Sequence, residues 1–386
     1  MILLKKYQEV RSHSLQLVEP LKTEDFVPQP VVDVSPPKWH LAHTTWFFEE
    51  MILSPNLSDY QVFHPRYRYV FNSYYESVGD RVARPHRGWM SRPTVEEVME
   101  YRAYVDAHMQ AFLQQEEQLS PEVRDLIELG LQHEQQHQEL FWTDTKFTFS
   151  LNPLYPVYKQ GGALLHQINE ERGWLEQEGG MVDIGFEGEG FCFDNELNRH
   201  QAFLNPYRIR KDLVTNSDFM AFIEEDGYKR HEFWHSEGWD WVNQNERKAP
   251  LYWEKEGQDW VHFTMEGRVP VRREEILCHV NYYEAFAYAQ WRGLRLPTEF
   301  EWEAAADLFA WGKRWEWTQS AYLPYPKYQK AAGAVGEYNG KFMVSQMVLR
   351  GASVATSPGH ARKTYRNFFH PQLAWQFTGI RLAESL

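Results

Sequence analysis

The character of the sequence changes near Gly179-Gly180, and this change constrains the fold more than any other feature. Before about residue 150, apolar residues recur at helical spacing, whereas after the glycine pair short apolar runs alternate with Gly, Asn and Pro. A chain of 386 residues is also longer than one hydrophobic core usually supports. We therefore predict two domains, residues 1–150 and 179–386, joined by a connector over 151–178.

The first domain is predicted to contain four long helices. They are expected over residues 3–18, 39–54, 94–118 and 120–147. Thr94 with Glu97 forms a capping-box pattern, and Ser120 followed by Pro121 is a typical helix start. Four such helices with intervening loops indicate a bundle. The loop over 62–93 is long and rich in Arg and Tyr, which is typical of a functional segment.

The second domain is predicted to be a loop-rich α+β domain. Strand-like runs lie at 181–184, 207–209, 347–349 and 377–382, and short helices are expected over 216–225 and 282–291. The sequence contains no tandem repeat and no low-complexity tract.

Charge and composition exclude several classes of partner. The net charge is −14 and no Lys/Arg block occurs, so we expect no nucleic-acid partner. No apolar run approaches ~20 residues, so we expect no membrane partner. A secretory signal has positive charges before a longer apolar stretch, and the N-terminal segment does not show this pattern. With only Cys192 and Cys278, a disulfide framework is not expected, and a cytoplasmic location is predicted. The sequence does not indicate an oligomeric state.

The strongest chemical signal is the segment HEQQH at residues 133–137. Positions i and i+4 share one face of a helix, so His133 and His137 can bind one metal ion together. The alternative is a pair of hydrogen-bonded core histidines. The segment also matches the His-Glu-x-x-His pattern of zinc proteases, in which Glu134 would be the general base.

A second predicted helix carries HLAH at residues 40–43. Its inward stripe is expected to contain Trp39, His43, Trp46, Phe47 and Glu50. His43 is thus a candidate third ligand, although a packed helix histidine is equally compatible with the pattern. The carboxylates of residues 49 and 50 are possible ligands as well. Three neutral ligands suit Fe(II) with open positions, and three histidines also suit zinc.

Ordered motifs in the second half carry a resemblance to a known family. They are FDNE at 193–196, RLPTEFEWE at 295–303, WEWT at 315–318, VLRGAS at 348–353 and GIRL at 379–382. This set resembles the formylglycine-generating-enzyme-like (sulfatase-modifying factor) domain, which has a C-type-lectin-like fold. In the first half, residues 40–46 and 133–139 resemble a DinB-like four-helix bundle.

The two halves in this order resemble the EgtB-type sulfoxide synthases of ergothioneine biosynthesis. The resemblance implies an Fe(II) cofactor held by His43, His133 and His137. It also implies an O2-dependent oxidoreductase that joins a thiol sulfur to the imidazole of hercynine, Nα-trimethylhistidine. The zinc-protease interpretation becomes a minor alternative.

The resemblance also implies further site residues. Tyr74 and Tyr75 are candidate catalytic residues that would supply a proton or hydrogen atom, with simple packing of the loop as the alternative. Gln136, Asn367 and Phe368 match positions that bind the histidine-derived substrate. At residue 368 the family has Trp, and Phe keeps a weaker π-face for a quaternary cation.

The sulfur donor is inferred from a departure from the family pattern. The branch that uses γ-glutamylcysteine has Asp and Arg where this chain has Phe369 and Leu373, so we predict L-cysteine. Arg84 or Arg87 would bind its carboxylate. The alternatives are histidine in place of hercynine (the ovothiol-type reaction), γ-glutamylcysteine or another sulfur or selenium donor, a DinB-like zinc hydrolase, and a non-catalytic binding protein.

Overall fold

The computed structural model describes residues 2–159, 167–330, 336 and 339–386. The chain forms two compact units. The bulk of the first is Met1–Leu154, and the second contains Tyr155–Ala332 and Tyr338–Leu386. The predicted connector at 151–178 is described only in part, because its glycine pair at 161–162 lies outside the described residues. The last part of the connector contains a strand, Trp174–Gln177.

Four long helices form the first unit, as the sequence predicts. They are α1 (Ile2–Val18), α2 (Pro37–Phe48), α3 (Val95–Leu113) and α4 (Pro121–Ser150). Helix α2 continues through a π-helical turn, Glu49–Leu53, into Ser54–Asn56. Short helical segments lie at Thr23–Phe26, Tyr67–Phe71, Arg84–Trp89 and Glu116–Gln118. Among the described residues, no helix combines the length and the hydropathy that a membrane span requires.

Helix ends follow the predicted capping signals. The Thr94 hydroxyl accepts from the Glu97 amide, and the Glu97 carboxylate accepts from the Thr94 amide. Ser120 caps α4, which begins at Pro121. These caps satisfy amides that the first helical turn leaves without partners, and they therefore set where each helix begins.

Helix α2 has no solvent-exposed face, whereas the sequence predicted that only one stripe of its residues faces inward. All twelve residues of the helix are buried. The reason is that α2 packs against α3, α4 and the short helix Tyr67–Phe71 at once. Both His40 and His43 are consequently inside the unit.

The described part of the second unit contains small sheets and short helices. Its helices are α5 (Asn216–Glu224), α6 (Ser236–Gln244), α7 (Tyr282–Trp291) and α8 (Glu299–Ala305). Its strands are β1 (Trp174–Gln177), β2 (Gly180–Ile184), β3 (His200–Leu204), β4 (Tyr207–Arg210), β5 (Trp253–Glu256), β6 (Asp259–Thr264), β7 (Gly267–Pro270), β8 (Trp315–Ala321), β9 (Met347–Gly351), β10 (Asn367–Phe369), β11 (Thr378–Gly379) and β12 (Ala383–Ser385).

The strands pair mostly as antiparallel neighbours. The sheet orders are β1-β4-β12, β10-β9-β8-β11, β2-β3 and β5-β6-β7, and only the β8–β11 pair is parallel among the described strands. The predicted strand at 377–382 is a strand only at Thr378–Gly379. Beyond it the carbonyls of Ile380 and Leu382 accept from the amides of Val214 and Arg210. The sequence did not reveal α6, α8 or the β5–β7 sheet.

Buried ion pairs connect the motifs that carried the family resemblance. The guanidinium of Arg381 donates to both carboxylate oxygens of Glu316, and the indole of Trp302 donates to the same carboxylate. Arg350 likewise donates to Glu299 and Glu303. The conspicuous motifs of the second unit are therefore elements of its core.

We predict that Arg381→Leu lowers the free energy of unfolding by about 3–5 kcal/mol, because Glu316 would remain buried without its cation. Urea unfolding of the full chain, followed by tryptophan fluorescence, measures this change. Lys363→Ala is the control, since the Lys363–Asp307 pair is exposed and is expected to contribute less than about 1 kcal/mol. Equal effects of the two substitutions would contradict the prediction.

Candidate metal centre

Three buried or half-buried histidines converge between α2 and α4. The ligand nitrogens of His43, His133 and His137 lie within 4.8 Å of one another, the only such His/Cys/Asp/Glu group found among the described residues. The Nε2 atoms of His43 and His133 are 3.2 Å apart. Two nitrogens bound to one ion at roughly 2.1 Å, with bond angles of about 90–110°, lie about 3.0–3.4 Å apart. The observed separation is therefore that of two ligands of one metal ion.

The same three histidines are held in the neutral form that a metal requires. Burial lowers the pKa of His133 to about 3. Burial, reinforced by the neighbouring imidazoles, holds the pKa of His43 and that of His137 well below the usual range. All three side chains can therefore offer a lone pair at neutral pH.

The orientation of His43 is set by its surroundings. Its Nδ1 lies 2.6 Å from the carbonyl oxygen of Phe71, which can only accept, so Nδ1 carries the proton and Nε2 the lone pair. Trp39 stacks on its ring at 4.5 Å and Trp46 at 5.6 Å. Neutral imidazoles with oriented lone pairs are suitable ligands for a divalent transition metal ion, and three of them leave further coordination positions open. This donor set suits iron and zinc alike.

The alternative of carboxylate ligands on the π-helical turn is not supported. Glu49 accepts hydrogen bonds from Tyr60, Tyr101 and the amide of Phe63, which engage both of its oxygens. Glu50 pairs with Arg68. Neither carboxylate belongs to the histidine group.

Glu134 is engaged by α1 and α3. Its oxygens accept from Arg11 at 2.9 Å, Arg102 at 2.6 Å and Ser14 at 2.6 Å. Burial alone would raise the pKa of Glu134, but Arg102 and Arg11 outweigh it and lower the pKa to about 2. A general base at a metal needs a free oxygen and a pKa nearer to neutrality. The geometry therefore argues against the zinc-protease alternative.

The tyrosine loop lies beside α2. Tyr75 is buried with its ring 5.6 Å from that of Trp46, which also stacks on His43. Tyr74 is half-buried and stacks on Tyr75 at 4.7 Å. Asn72 holds the turn through the backbone of Tyr75. Tyr75 is thus one aromatic ring away from a candidate ligand.

Arg87 is a buried cation near the histidines. Its guanidinium lies 3.4 Å from the ring centroid of Trp39 and donates to the hydroxyls of Ser35 and Ser73. Burial, with Arg84 second, holds the pKa of Arg87 well below its usual range. In the described part of the chain, its Nε atom has no hydrogen-bond partner. Arg84 is exposed and donates to the carbonyl of Asp33.

The remaining predicted residues lie apart along the chain. Gln136 is half-buried on α4 between the two ligand histidines. Asn367 and Phe368 lie on β10 in the second unit, where Phe368 stacks on Tyr322 at 4.1 Å. Their substrate-binding roles stay predictions.

The predicted site residues did not include His40, which contacts His137, or Asp144, which contacts His40. His40 contacts His137 and also Asp144, and both residues are buried. A signal existed for each of them. His40 lies three residues before His43, and Asp144 lies seven residues after His137, which places it on the same face of α4.

Fold and site together define a class: a DinB-like helical bundle with a three-histidine cluster, followed by a β-rich formylglycine-generating-enzyme-like domain. The DinB superfamily model matches residues 6–141, and the sulfatase-modifying factor enzyme 1-like domain matches residues 166–314. The predicted fold class is thereby confirmed.

Comparison with individual proteins narrows the resemblance. The chain is 28% identical over 255 residues to hercynine oxygenase of Mycolicibacterium thermoresistibile, covering 53% of this chain and 56% of that protein. It is 29% identical over 251 residues to hercynine oxygenase of Mycobacterium tuberculosis, covering 53% and 58%. It is 32% identical over 158 residues to formylglycine-generating enzyme of Streptomyces coelicolor, covering 38% and 50%. The chain thus spans about half the length of the curated relatives it matches. The resemblance to EgtB-type sulfoxide synthases is confirmed.

We predict that Glu134→Gln destabilises the bundle rather than removing a general base. The free energy of unfolding should fall by about 3–5 kcal/mol, because Arg11 and Arg102 lose the carboxylate that offsets their buried charge. Chemical denaturation measures the change, with Asp125→Asn, exposed on the same helix, as the control. A variant as stable as the parent would show this prediction to be wrong.

Proposed function

We propose that this protein is a non-haem Fe(II)- and O2-dependent sulfoxide synthase that joins the sulfur of L-cysteine to the imidazole of hercynine. The observation that carries the proposal is the convergence of His43, His133 and His137 as neutral donors in a bundle. The similarity to hercynine oxygenases supports the choice of reaction. The reaction balances as one hercynine C–H, one thiol S–H and one O2 giving the C–S bond, the sulfoxide oxygen and one water.

In this proposal, His43, His133 and His137 hold Fe(II), and the bound ion would supply redox chemistry and open positions for the thiolate and O2. The chain's own groups do the rest. Burial keeps the ligands neutral, and the Phe71 carbonyl keeps the lone pair of His43 on Nε2. The rings of Trp39 and Trp46 enclose His43 and exclude water from it.

We assign proton or hydrogen-atom supply to the Tyr74–Tyr75 pair. Tyr75 is the stronger candidate, since its ring is buried and shares the Trp46 contact with His43. Its buried phenol Oη would hold the proton. Tyr74 would support it by stacking.

We assign the carboxylate of cysteine to Arg87. A buried guanidinium that donates to two serine hydroxyls and stacks on Trp39 would be stabilised by an incoming carboxylate. Arg84 is the second candidate. Gln136, Asn367 and Phe368 would bind hercynine. The absence of Asp and Arg at residues 369 and 373 favours cysteine over γ-glutamylcysteine.

A cytoplasmic location stays a prediction.

The Fe(II)-loaded protein should convert hercynine, L-cysteine and O2 into the coupled sulfoxide, as followed by mass spectrometry and oxygen uptake. Hercynine and histidine should each be tested with cysteine and with γ-glutamylcysteine, and the hercynine–cysteine pair is expected to be the fastest. No turnover of hercynine with any thiol would overturn the proposed function. Activity without O2 would point to the zinc hydrolase, and hercynine binding without turnover would point to the binding protein.

We predict that Arg87→Met raises KM for cysteine by about 10- to 100-fold, because a charge-assisted hydrogen bond to the carboxylate is lost. KM for hercynine should change little. Arg81→Met is the matched control, since Arg81 lies in the same loop and pairs with Glu76. Steady-state kinetics at saturating second substrate give both constants. Similar KM values for cysteine in the two variants would refute the assignment of Arg87.

A further inference from the structure

A chain of hydrogen bonds extends from His137 into the bundle. The Nδ1 atom of His137 lies 2.8 Å from Nδ1 of His40, and Nε2 of His40 lies 3.1 Å from Oδ2 of Asp144. The same oxygen accepts from the backbone amide of Ser35 at 2.8 Å. His40 and Asp144 are both buried, with 5% and 3% of their surfaces exposed.

These contacts fix the proton positions one after another. The carboxylate of Asp144 accepts, so a neutral His40 carries its proton on Nε2 and donates it there. The Nδ1 of His40 is then an acceptor, and the proton in the short contact with His137 belongs to Nδ1 of His137. A neutral His137 with its proton on Nδ1 has its lone pair on Nε2. That nitrogen is the one left to bind an ion.

We propose that His40 and Asp144 are positioning residues that hold His137 as an Nε2 ligand of the metal centre. The inference rests on the metal centre proposed above and is independent of the identity of the substrates. The site then contains a carboxylate–histidine–histidine series. The carboxylate of Asp144 polarises His40, and His40 accepts the Nδ1–H of His137 and so raises the basicity of the Nε2 atom of His137.

The placement of the two residues supports a role at the metal. His40 belongs to α2, the helix of His43, and Asp144 belongs to α4, the helix of His133 and His137. The other buried carboxylate of α4, Glu134, is offset by Arg11 and Arg102. Asp144 instead directs its oxygen at an imidazole that contacts a ligand. A carboxylate placed solely for packing would have no need of that orientation.

The test is metal affinity in variants of the full chain. Anaerobic chelator competition with Fe(II) gives the dissociation constant, and the visible spectrum of the Co(II)-loaded protein reports coordination. His40→Leu is expected to weaken Fe(II) binding by about 10- to 100-fold and to change the Co(II) spectrum. His40→Gln should recover much of the affinity, because its amide can accept from His137 and donate to Asp144. Asp144→Asn should weaken binding while the metal-free protein stays folded.

Tyr7→Phe is the matched control, since it removes a buried hydrogen bond to Asp106 in the same bundle. It should lower the thermal stability of the metal-free protein and leave the dissociation constant unchanged. If His40→Leu does not fold, Asp144→Asn and His40→Gln decide the question. Unchanged affinity and an unchanged spectrum in the folded variants overturn the inference while the metal centre stands. A parent protein that binds no Fe(II) overturns both.

Discussion

The first unit depends on the burial of polar side chains where α2 meets α4. Helix α2 is buried on every side, so each of its polar groups needs a partner within the protein. Thr45 uses a backbone carbonyl and the guanidinium of Arg11, and His43 uses the carbonyl of Phe71. Between the two helices the imidazoles of His43, His133 and His137 face one another. A metal ion is the partner that satisfies several lone pairs at once.

The second unit obeys the same constraint with a different outcome. Several of its buried charges are paired within the unit: Arg381 with Glu316, and Arg350 with Glu299 and Glu303. Because these motifs build the core, their resemblance to formylglycine-generating enzymes identifies a fold. Function has to be argued from a site. The argument for chemistry therefore rests on the histidines of the first unit and on the similarity to hercynine oxygenases.

Local signals in the sequence predicted local structure well. Capping residues such as Thr94 and Ser120 located helix starts, and the i, i+4 spacing paired His133 with His137. Periodicity did not predict the burial of α2, because a helix that is buried on all sides has no solvent-exposed face from which its inward face can be recognised. The contacts that decide the roles of the site residues could not be predicted from the sequence, because they join segments that are distant along the chain. Arg11 meets Glu134 across 123 residues, and His40 meets Asp144 across 104. The small β5–β7 sheet lacked a pattern strong enough to predict.

The choice between oxidative and hydrolytic chemistry turns on the carboxylates around the three histidines. A carboxylate that acts as general base toward a zinc-bound water needs an oxygen that is free to accept the proton. Glu134 is held by two arginines, and Glu49 by two phenols and an amide. Asp144 accepts from His40 and from the Ser35 amide. Each of these carboxylates thus accepts hydrogen bonds from groups of the protein itself. The first unit thus offers neutral nitrogen donors, a nearby phenol and a buried cation, and this set supports the proposed oxygen-dependent coupling.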